Sequence, residues 1–186
     1  YSHDGGALTN QGIHYIDLLR YLVGDIKNVF CKMKTLNAKI EVEDSVVGNF
    51  EFDNGAIGSL EVTTAARPKD YEATIALIGT KGVAKIGGLA ANIMEEFSPN
   101  PKLCKKYSEH IPDAYGFGHF KLYNDISKAL LFKKKFPINS EDCINTIRLL
   151  NSFYVSDELK RNIIVSKTKD SKRLGKKNNT ISRLYR

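Results

Sequence analysis

The 186-residue sequence contains no tryptophan, few cysteines and no long apolar run. Its three cysteines, Cys31, Cys104 and Cys143, are widely spaced and include no C-x-x-C pair. A disulfide framework or a structural zinc site needs more closely patterned cysteines. The pattern therefore indicates free thiols in a reducing compartment, a cytoplasmic location and no metal site.

The sequence also lacks a membrane-spanning segment and a secretion signal. No apolar stretch approaches the roughly 18 residues that a spanning helix needs, and the N-terminus has no basic and apolar signal pattern. Apolar residues make up 42% of the sequence and charged residues 26%, a composition typical of a folded globular protein. Because the sequence begins with Tyr1 and reaches Gly5 and Gly6 almost at once, we expect it to be the C-terminal part of a longer protein.

Positive charge is concentrated at the C-terminus. Residues 160–186 contain ten Lys or Arg and one acid, Asp170, whereas residues 1–159 carry a net charge of −2. Because residues 166–186 combine this charge with few apolar side chains, we predict a basic, flexible tail. Its one aromatic residue, Tyr185, argues against nucleic-acid binding by base stacking. Membrane contact is expected to be peripheral at most, through this tail.

Apolar spacing predicts helices and strands in alternation with turns. Six segments have the alternation or β-branched content of strands: 26–36, 45–52, 56–65, 71–78, 83–86 and 92–97. The turn sequences Asp53-Asn54-Gly55 and Gly79-Thr80-Lys81-Gly82 predict two hairpins. Three segments have helical spacing: 10–23, 118–132 and 140–159. The region between 97 and 118 is predicted to be a polar loop.

These elements predict an α+β fold with a mostly antiparallel, or mixed, sheet and helices packed on one face. No G-x-G-x-x-G sequence follows a predicted strand. The segment Gly116-Phe117-Gly118-His119 lacks the third glycine and the preceding strand of a dinucleotide fingerprint. This chain alone is therefore not expected to bind a nicotinamide cofactor.

The first predicted helix carries the strongest candidate for chemistry. Asn10 and His14 are four residues apart, and Asp17 follows one turn later, so the three side chains share a stripe. A histidine at such a place can exchange a proton with a substrate hydroxyl. Gly12 suggests that a ligand or another backbone comes close. The alternative is a half-buried structural histidine with a solvated or capping Asp17.

The run from Gly5 to Leu19 resembles the G-G-x-x-x-D/N-x-G-x-H-x-x-D signature of the Gfo/Idh/MocA oxidoreductases, the glucose-fructose oxidoreductase and inositol dehydrogenase family. The later order of hairpins and helices is similar to the C-terminal domain of that family over about residues 1–160. The resemblance implies that residues 1–165 form a substrate-binding and oligomerisation domain. It also implies that a Rossmann domain, absent from this chain, binds NAD or NADP.

Three stretches make the sequence most similar to the branch that oxidises the 3-hydroxyl of UDP-N-acetyl-glucosaminuronic acid in surface polysaccharide, including lipopolysaccharide, biosynthesis. They are Asn10 to His14, Thr63 to Pro68 and Tyr115 to His119. The resemblance implies that His14 is the catalytic acid/base. Many family members have Asp where this sequence has Asn10, and an amide orients a hydroxyl without taking its proton. Gly12 and Asp17 then have supporting roles.

Three further residues are candidate substrate ligands. The Arg67 guanidinium, predicted at the end of a strand, could hold a carboxylate or diphosphate, or could be a surface arginine in a loop. Tyr115 and His119 flank a glycine turn at a helix start, where an anion could bind. For these two residues, a packing loop is an equal alternative.

Two functions from different classes remain open at this point. In the first, the chain is the substrate-binding part of an NAD(P)-dependent sugar dehydrogenase, inactive alone and assembled as a homodimer or homotetramer through its sheet. A dehydrogenase of another polyol, such as inositol, is a variant of this function. In the second, the chain is a non-catalytic oligomerisation or sugar-binding module.

Overall fold

The computed structural model describes residues 5–69, 71–88, 90–113 and 115–174. The chain divides into two units, one formed by Tyr1–Asp70 with Ser140–Arg186 and the other by Tyr71–Asn139. Each unit contains its own sheet, and all the strand pairs within the described ranges are antiparallel. The predicted α+β class and antiparallel pairing are confirmed, with the strands shared between two sheets.

The first unit begins with a helix of two parts. A π-helical turn, Leu8–Gly12, leads directly into α1, Ile13–Val23, and Gly24 ends the helix with a φ of 117°. The predicted helix over residues 10–23 and its stop at Gly24 are confirmed, with a start two residues earlier. Single π turns within helices occur frequently at functional sites.

The sheet of the first unit has the strand order β3-β2-β1-β7. Its strands are β1 (Ile26–Lys34), β2 (Ser45–Phe52), β3 (Ile57–Thr63) and the short β7 (Ile163–Ile164). The β2–β3 hairpin turns at the predicted Asp53-Asn54-Gly55, where the Asn54 Oδ1 accepts a hydrogen bond from the Ala56 N–H. Along β1, Val29, Cys31 and Met33 are buried and alternate with more exposed residues, as the period of two predicts.

Helix α4, Ser140–Leu159, packs across β1 and closes the core. Because β7 pairs only with Asn28 and Val29, the N–H groups further along β1 need other acceptors. The Cys31 N–H bonds the Ser156 hydroxyl at 3.1 Å and the Met33 N–H bonds the Asp157 carboxylate at 3.0 Å. Side chains of α4 thus supply the hydrogen-bond acceptors that β7 does not provide to this part of β1.

The second unit contains a three-stranded sheet of order β4-β5-β6. Its strands are β4 (Ile75–Gly79), β5 (Gly82–Gly87) and β6 (Ile93–Phe97). Two helices follow, α2 (Lys102–Tyr107) and α3 (Gly118–Phe132). The bounds predicted for α3 and for α4 are confirmed.

Helix α2 corrects the prediction of a polar loop in this region. It follows Pro101, whose φ of −60° suits the start of a helix. The helix lies against β6, and the Ser108 hydroxyl accepts a hydrogen bond from the Met94 N–H and donates one to the Cys104 carbonyl. Contact with β6 stabilises this helix. Its six residues are too few to show an apolar periodicity that could be recognised in the sequence.

The first part of the predicted flexible tail makes defined contacts with α4. The Ser171 hydroxyl donates to the Glu158 carboxylate, and Arg173 pairs with Asp157 at 2.5 Å. Arg173, which belongs to the predicted basic tail, is therefore bound to α4. Lys176, Lys177, Tyr185 and the rest of the tail after residue 174 lie outside the described residues, and their role stays a prediction.

Candidate functional site

The start of the first helix presents two exposed polar side chains. Asn10 lies in the π-helical turn and His14 lies one turn later in α1. Neither side chain makes a hydrogen bond or an ion pair within the described residues. An amide and an imidazole are therefore held side by side on one helix with their donor and acceptor atoms open to a ligand.

The glycine pair that precedes this turn makes room for a buried acid. A Cβ at Gly6 would lie 2.0 Å from the Glu43 carboxylate, and Gly5 has a φ of +70°. Glu43 comes from the loop before β2 and is 6% exposed. Gly6 is explained here by the Glu43 side chain that approaches its backbone, and Gly5 by its positive φ.

The Glu43 carboxylate is bound by groups from two parts of the chain, the start of the first helix and α4. Its Oε1 accepts the Leu8 N–H at 3.2 Å and the Tyr154 hydroxyl of α4 at 2.6 Å. The Tyr154 oxygen also lies 2.7 Å from the Thr9 hydroxyl. The sequence analysis missed both Glu43 and Tyr154. The Gly5-Gly6 pair is the one local feature that could have suggested a side chain packed against this backbone, and it does not say which.

Gly12 is required by apolar packing. A Cβ there would lie 2.8 Å from Leu8 Cδ1 and 3.2 Å from Val62 Cγ2 of β3. The predicted close approach is therefore made by side chains of the core, which hold the helix start against the sheet.

Asp17, in the middle of the helix, is engaged by other residues. Its carboxylate accepts a hydrogen bond from the Thr146 hydroxyl of α4 and lies 3.9 Å from Arg20 Nη1. No hydrogen bond joins Asp17 to His14 within the described residues. The structure therefore separates the predicted stripe into a free pair, Asn10 and His14, and a third residue that contacts α4.

Arg20 is the centre of a charged cluster that joins α1 to α4. The side chain is buried, and its guanidinium donates to Asp25 at 2.7 Å and to Asp142 at 2.8 Å. Burial alone would lower the pKa of Arg20, but the hydrogen bonds with Asp25 and Asp142 outweigh it and raise the pKa above its ordinary value. The cluster stabilises the fold. Because all three guanidinium nitrogens of Arg20 already donate hydrogen bonds within it, Arg20 is not available to bind a substrate.

A cleft of about 130 Å³ lies beside this cluster and contains none of the predicted site residues. Its cationic side chains already have partners: Arg20 in the cluster, Lys27 with Glu51 at 3.4 Å and Arg148 with Asn145 at 2.8 Å. The cleft is therefore explained by the packing of α4 against the sheet end.

Arg67 lies in the loop after β3, four residues beyond the strand end at which it was predicted. Its Nη1 donates to the carbonyl oxygens of Ala66 at 2.6 Å and Thr64 at 3.2 Å, and the side chain is exposed. The loop fixes Nη1 of the guanidinium, and the other two nitrogens make no hydrogen bond within the described residues.

Tyr115 and His119 belong to the second unit and lie together at the start of α3. The His119 Nδ1 is 3.2 Å from the Tyr115 carbonyl oxygen, and the two rings meet edge to face with centroids 6.0 Å apart. Both side chains are exposed. Gly116, between them, has a φ of +53°, which accounts for the tight turn.

Two further kinds of chemistry receive no support. Burial raises the pKa of the Cys31 thiol to about 12, assisted by the charge of Asp157, so this thiol stays protonated. Within the described ranges, no group of three His, Cys, Asp or Glu side chains could hold a metal ion.

No helix among the described residues is both long and apolar enough to cross a membrane.

Solved structures of similar fold include two dehydrogenases. The WlbA dehydrogenase from Bordetella pertussis, solved with NADH and UDP-GlcNAcA, matches with a TM-score of 0.78 and 32% identity over 86% of this chain. WlbA from Chromobacterium violaceum, solved with the same two ligands, matches with a TM-score of 0.76 and 32% identity over 89% of this chain. The matches cover 48% and 47% of those two chains, so this chain spans about half of each.

Curated sequences and a family profile agree with these structures. The scyllo-inositol 2-dehydrogenase (NAD(+)) of Bacillus subtilis is 33% identical over 92 residues, which are 47% of this chain and 27% of that protein. The profile described as GFO/IDH/MocA C-terminal domain matches residues 1–85, the segment with the glycine pair, Asn10 and His14. Over this segment, the chain is therefore similar to the C-terminal domain of the Gfo/Idh/MocA family.

Proposed function

We propose that this chain is the substrate-binding part of an NAD(P)-dependent oxidoreductase that oxidises a sugar hydroxyl. We further propose that the hydroxyl is the 3-hydroxyl of a UDP-N-acetyl-hexuronic acid used in surface polysaccharide biosynthesis. The observation that carries the proposal is the free pair of Asn10 and His14 on the first helix. The identity of 32% to two dehydrogenases solved with UDP-GlcNAcA supports the finer substrate.

In this proposal, His14 takes the proton of the reacting hydroxyl. A neutral imidazole has one unprotonated ring nitrogen that can accept the proton and later release it to solvent. The Asn10 amide, one turn earlier, donates to or accepts from the same hydroxyl and so orients it. Asp17 takes no part in proton transfer, since Thr146 and Arg20 engage its carboxylate.

The nicotinamide cofactor would be held by a domain outside this chain. The described residues offer no dinucleotide cradle, because α3, whose start carries Gly116 and Gly118, follows a loop and a short helix instead of a strand. When bound, the nicotinamide supplies the acceptor for the hydride that leaves the sugar carbon. This chain's own contribution is to bind the sugar and to take the proton.

Arg67, Tyr115 and His119 stay proposed substrate ligands. The guanidinium of Arg67 has an edge free to bind a carboxylate or a diphosphate in bidentate fashion. The Tyr115 and His119 rings are exposed and mutually packed, which suits stacking on a flat ligand group. Assembly into a homodimer or homotetramer through the sheet is also proposed, and the exposed Val47 and Ile57 of β2 and β3 support it.

The test is replacement of His14 by Ala in the complete enzyme. We expect turnover to fall by about 10²- to 10⁴-fold, the usual contribution of general acid–base catalysis, while binding of the nucleotide sugar is retained. His110→Ala is the matched control, since His110 is an exposed histidine of the second unit. Unchanged turnover in the His14 variant would contradict the proposal.

An inositol-type polyol is the second candidate substrate, supported by the 33% identity to the scyllo-inositol dehydrogenase. Titration with UDP-N-acetyl-glucosaminuronic acid and with inositol, read from the NMR signals of the His14 ring, separates the two. A stable oligomer that binds neither compound in the complete protein would favour a non-catalytic module.

A further inference from the structure

The backbone under Asn10 and His14 is held by a buried carboxylate. Glu43 accepts the N–H of Leu8 through its side chain at 3.2 Å and the N–H of Ala7 through its backbone carbonyl at 2.9 Å. Both donors are at the helix start, where N–H groups lack partners within the helix. A buried carboxylate needs such donors because it has lost its hydration. Glu43 therefore caps the π-helical turn from the core side.

The hydroxyl groups around Glu43 form a directed chain. Tyr154 has one hydroxyl proton, which it donates to Glu43 at 2.6 Å. At its 2.7 Å contact with Thr9, the Tyr154 oxygen must then be the acceptor and the Thr9 hydroxyl the donor. The order is Thr9 to Tyr154 to Glu43. Loss of the Tyr154 hydroxyl would therefore remove the acceptor of the Thr9 hydroxyl and leave the Glu43 carboxylate with the Leu8 N–H but without its hydroxyl donor.

Tyr154 is itself held in place from the other side. Its ring is 3% exposed and the Arg173 guanidinium lies 5.5 Å from its centroid. Burial, together with the charge of Glu43, raises the pKa of Tyr154 above its ordinary value, so the hydroxyl keeps its proton. The tyrosine is therefore a neutral hydrogen-bond donor near pH 7.

The network acts on the residues that immediately precede the free pair. Leu8 and Thr9 are the residues bound by Glu43 and Tyr154, and Asn10 is next in the chain, with its N–H bonded to the Gly6 carbonyl at 2.9 Å. His14 follows one turn later. A shift of the turn by about 1 Å would move both side chains relative to a bound hydroxyl, and such a misplacement can cost about 10²-fold in rate.

From this geometry we infer that Glu43, Tyr154 and Thr9 are positioning residues for the reaction. They act through the backbone of the Leu8–Gly12 turn and set the placement of Asn10 and His14 without touching the substrate. The inference rests on the proposed function, since it assigns to the network the alignment of the proposed acid/base.

The test uses two substitutions that remove one hydroxyl each in the complete enzyme. Tyr154→Phe keeps the ring, and Thr9→Val keeps the shape of the side chain. We expect each to lower kcat at least tenfold with a smaller change in KM, because alignment matters most in the transition state. We also expect backbone hydrogen exchange in the peptide spanning residues 5–12 to become at least tenfold faster.

Three controls separate positioning from general damage. Thr9→Ser keeps the hydroxyl and should restore both readouts, and Tyr107→Phe removes an exposed tyrosine hydroxyl of the second unit. The double variant Tyr154→Phe/Thr9→Val should be no worse than the more damaging single variant, since both substitutions break the same chain of hydrogen bonds. Because Thr9→Val leaves the core tyrosine intact, it still tests the inference if Tyr154→Phe fails to fold.

Two results would overturn the inference. One is unchanged exchange at residues 5–12 in both hydroxyl variants, which would mean that the network does not hold the turn. The other is faster exchange with unchanged kcat in an enzyme that His14→Ala inactivates, which would leave the proposed function standing without the positioning role. Failure of the proposed function itself is read separately, from full turnover in the His14→Ala variant.

Discussion

The two ends of the first helix hold their buried charged groups in opposite ways. At the end, the Arg20 guanidinium is surrounded by Asp25 and Asp142, whose side chains are more than half exposed. At the start, Glu43 forms no ion pair within the described residues and is bound by a backbone N–H and a tyrosine hydroxyl. Charge stabilises one end, and neutral donors stabilise the other.

The residues that anchor the helix start are different from the residues that it exposes to solvent. The anchoring groups at the start point into the core, so Asn10 and His14 remain without internal partners on the exposed side. Further along the helix, the polar side chains Asp17 and Arg20 contact α4. The start therefore presents an amide and an imidazole that can act on a ligand, and the proposed function is assigned to this end.

The largest effect is expected at the charged end. Arg20→Ala should lower the free energy of unfolding by about 2 to 4 kcal/mol, because it removes a buried cation from several hydrogen bonds and leaves its aspartates unpaired. The partial exposure of those aspartates keeps the loss below that of a fully buried pair. Urea unfolding measures the change.

Arg148→Ala is the matched control for this prediction. Arg148 lies on α4 beside the same cleft, and within the described residues its side chain bonds the Asn145 side chain alone. Its removal should change stability by less than about 0.5 kcal/mol. Equal losses for the two arginines would mean that the cluster does not anchor the helix end.

A smaller effect is expected at Asp157, whose carboxylate should make the free energy of unfolding fall at low pH. Burial alone would raise the pKa of Asp157, but hydrogen bonds from Lys160, the Met33 N–H and Arg173 outweigh it and hold the pKa below its ordinary value. Stability from this carboxylate is therefore complete above about pH 4, the unfolded value, and is lost as the pH falls through the folded value. Arg173, its partner, also lies over the Tyr154 ring.

The measurement is the free energy of unfolding between pH 7 and pH 3, with and without Asp157→Asn. At pH 7 the substitution should cost about 1 to 3 kcal/mol through its weakened charge-assisted hydrogen bonds. The fall in stability below about pH 4 should be shallower in the variant. It should not vanish, because Asp44 also has a lowered pKa, which the N–H groups of residues 36–38 hold down against the effect of burial. Parallel pH curves would contradict the assignment.

The smallest effect on stability is expected at the presented side chains. Asn10→Ala removes an exposed amide that makes no internal hydrogen bond, so the free energy of unfolding should change by less than about 0.5 kcal/mol. Turnover of the complete enzyme should nevertheless fall, since the amide orients the substrate in the proposed function. A large loss of stability would show that Asn10 belongs to the anchoring network, and the contrast between the two sides of the helix would fail.

The sequence predicted the elements that depend on local patterns. Helices α3 and α4, the β2–β3 hairpin and the end of α1 at Gly24 all follow from periodicity, turn residues and a glycine stop. Helix α2 was missed because it is short and its stability comes from contact with β6. The contacts of Ser171 and Arg173 were not predicted because a basic, polar composition does not reveal that Asp157 and Glu158 are within reach.

The candidate site divides in the same way. Asn10, Gly12 and His14 could be selected from spacing and from the resemblance to a family signature, because they are neighbours in one helix. Glu43 and Tyr154 are 111 residues apart and meet only after the sheet and α4 have packed. No local pattern marks them, since a glutamate in a loop and a tyrosine in a helix are ordinary residues until they are buried together.

The sequence by itself thus determined which segments form helices and hairpins, which family signature the chain carries and which two side chains are presented at the helix start. The physical reason is that these properties depend on residues within a few turns of one another. Only the tertiary structure decided that Asp17 binds α4 instead of joining His14, that Gly6 makes room for Glu43, and that Tyr154 holds the turn from the core. Those outcomes depend on burial, which brings distant segments together and removes the water that would otherwise satisfy their polar groups.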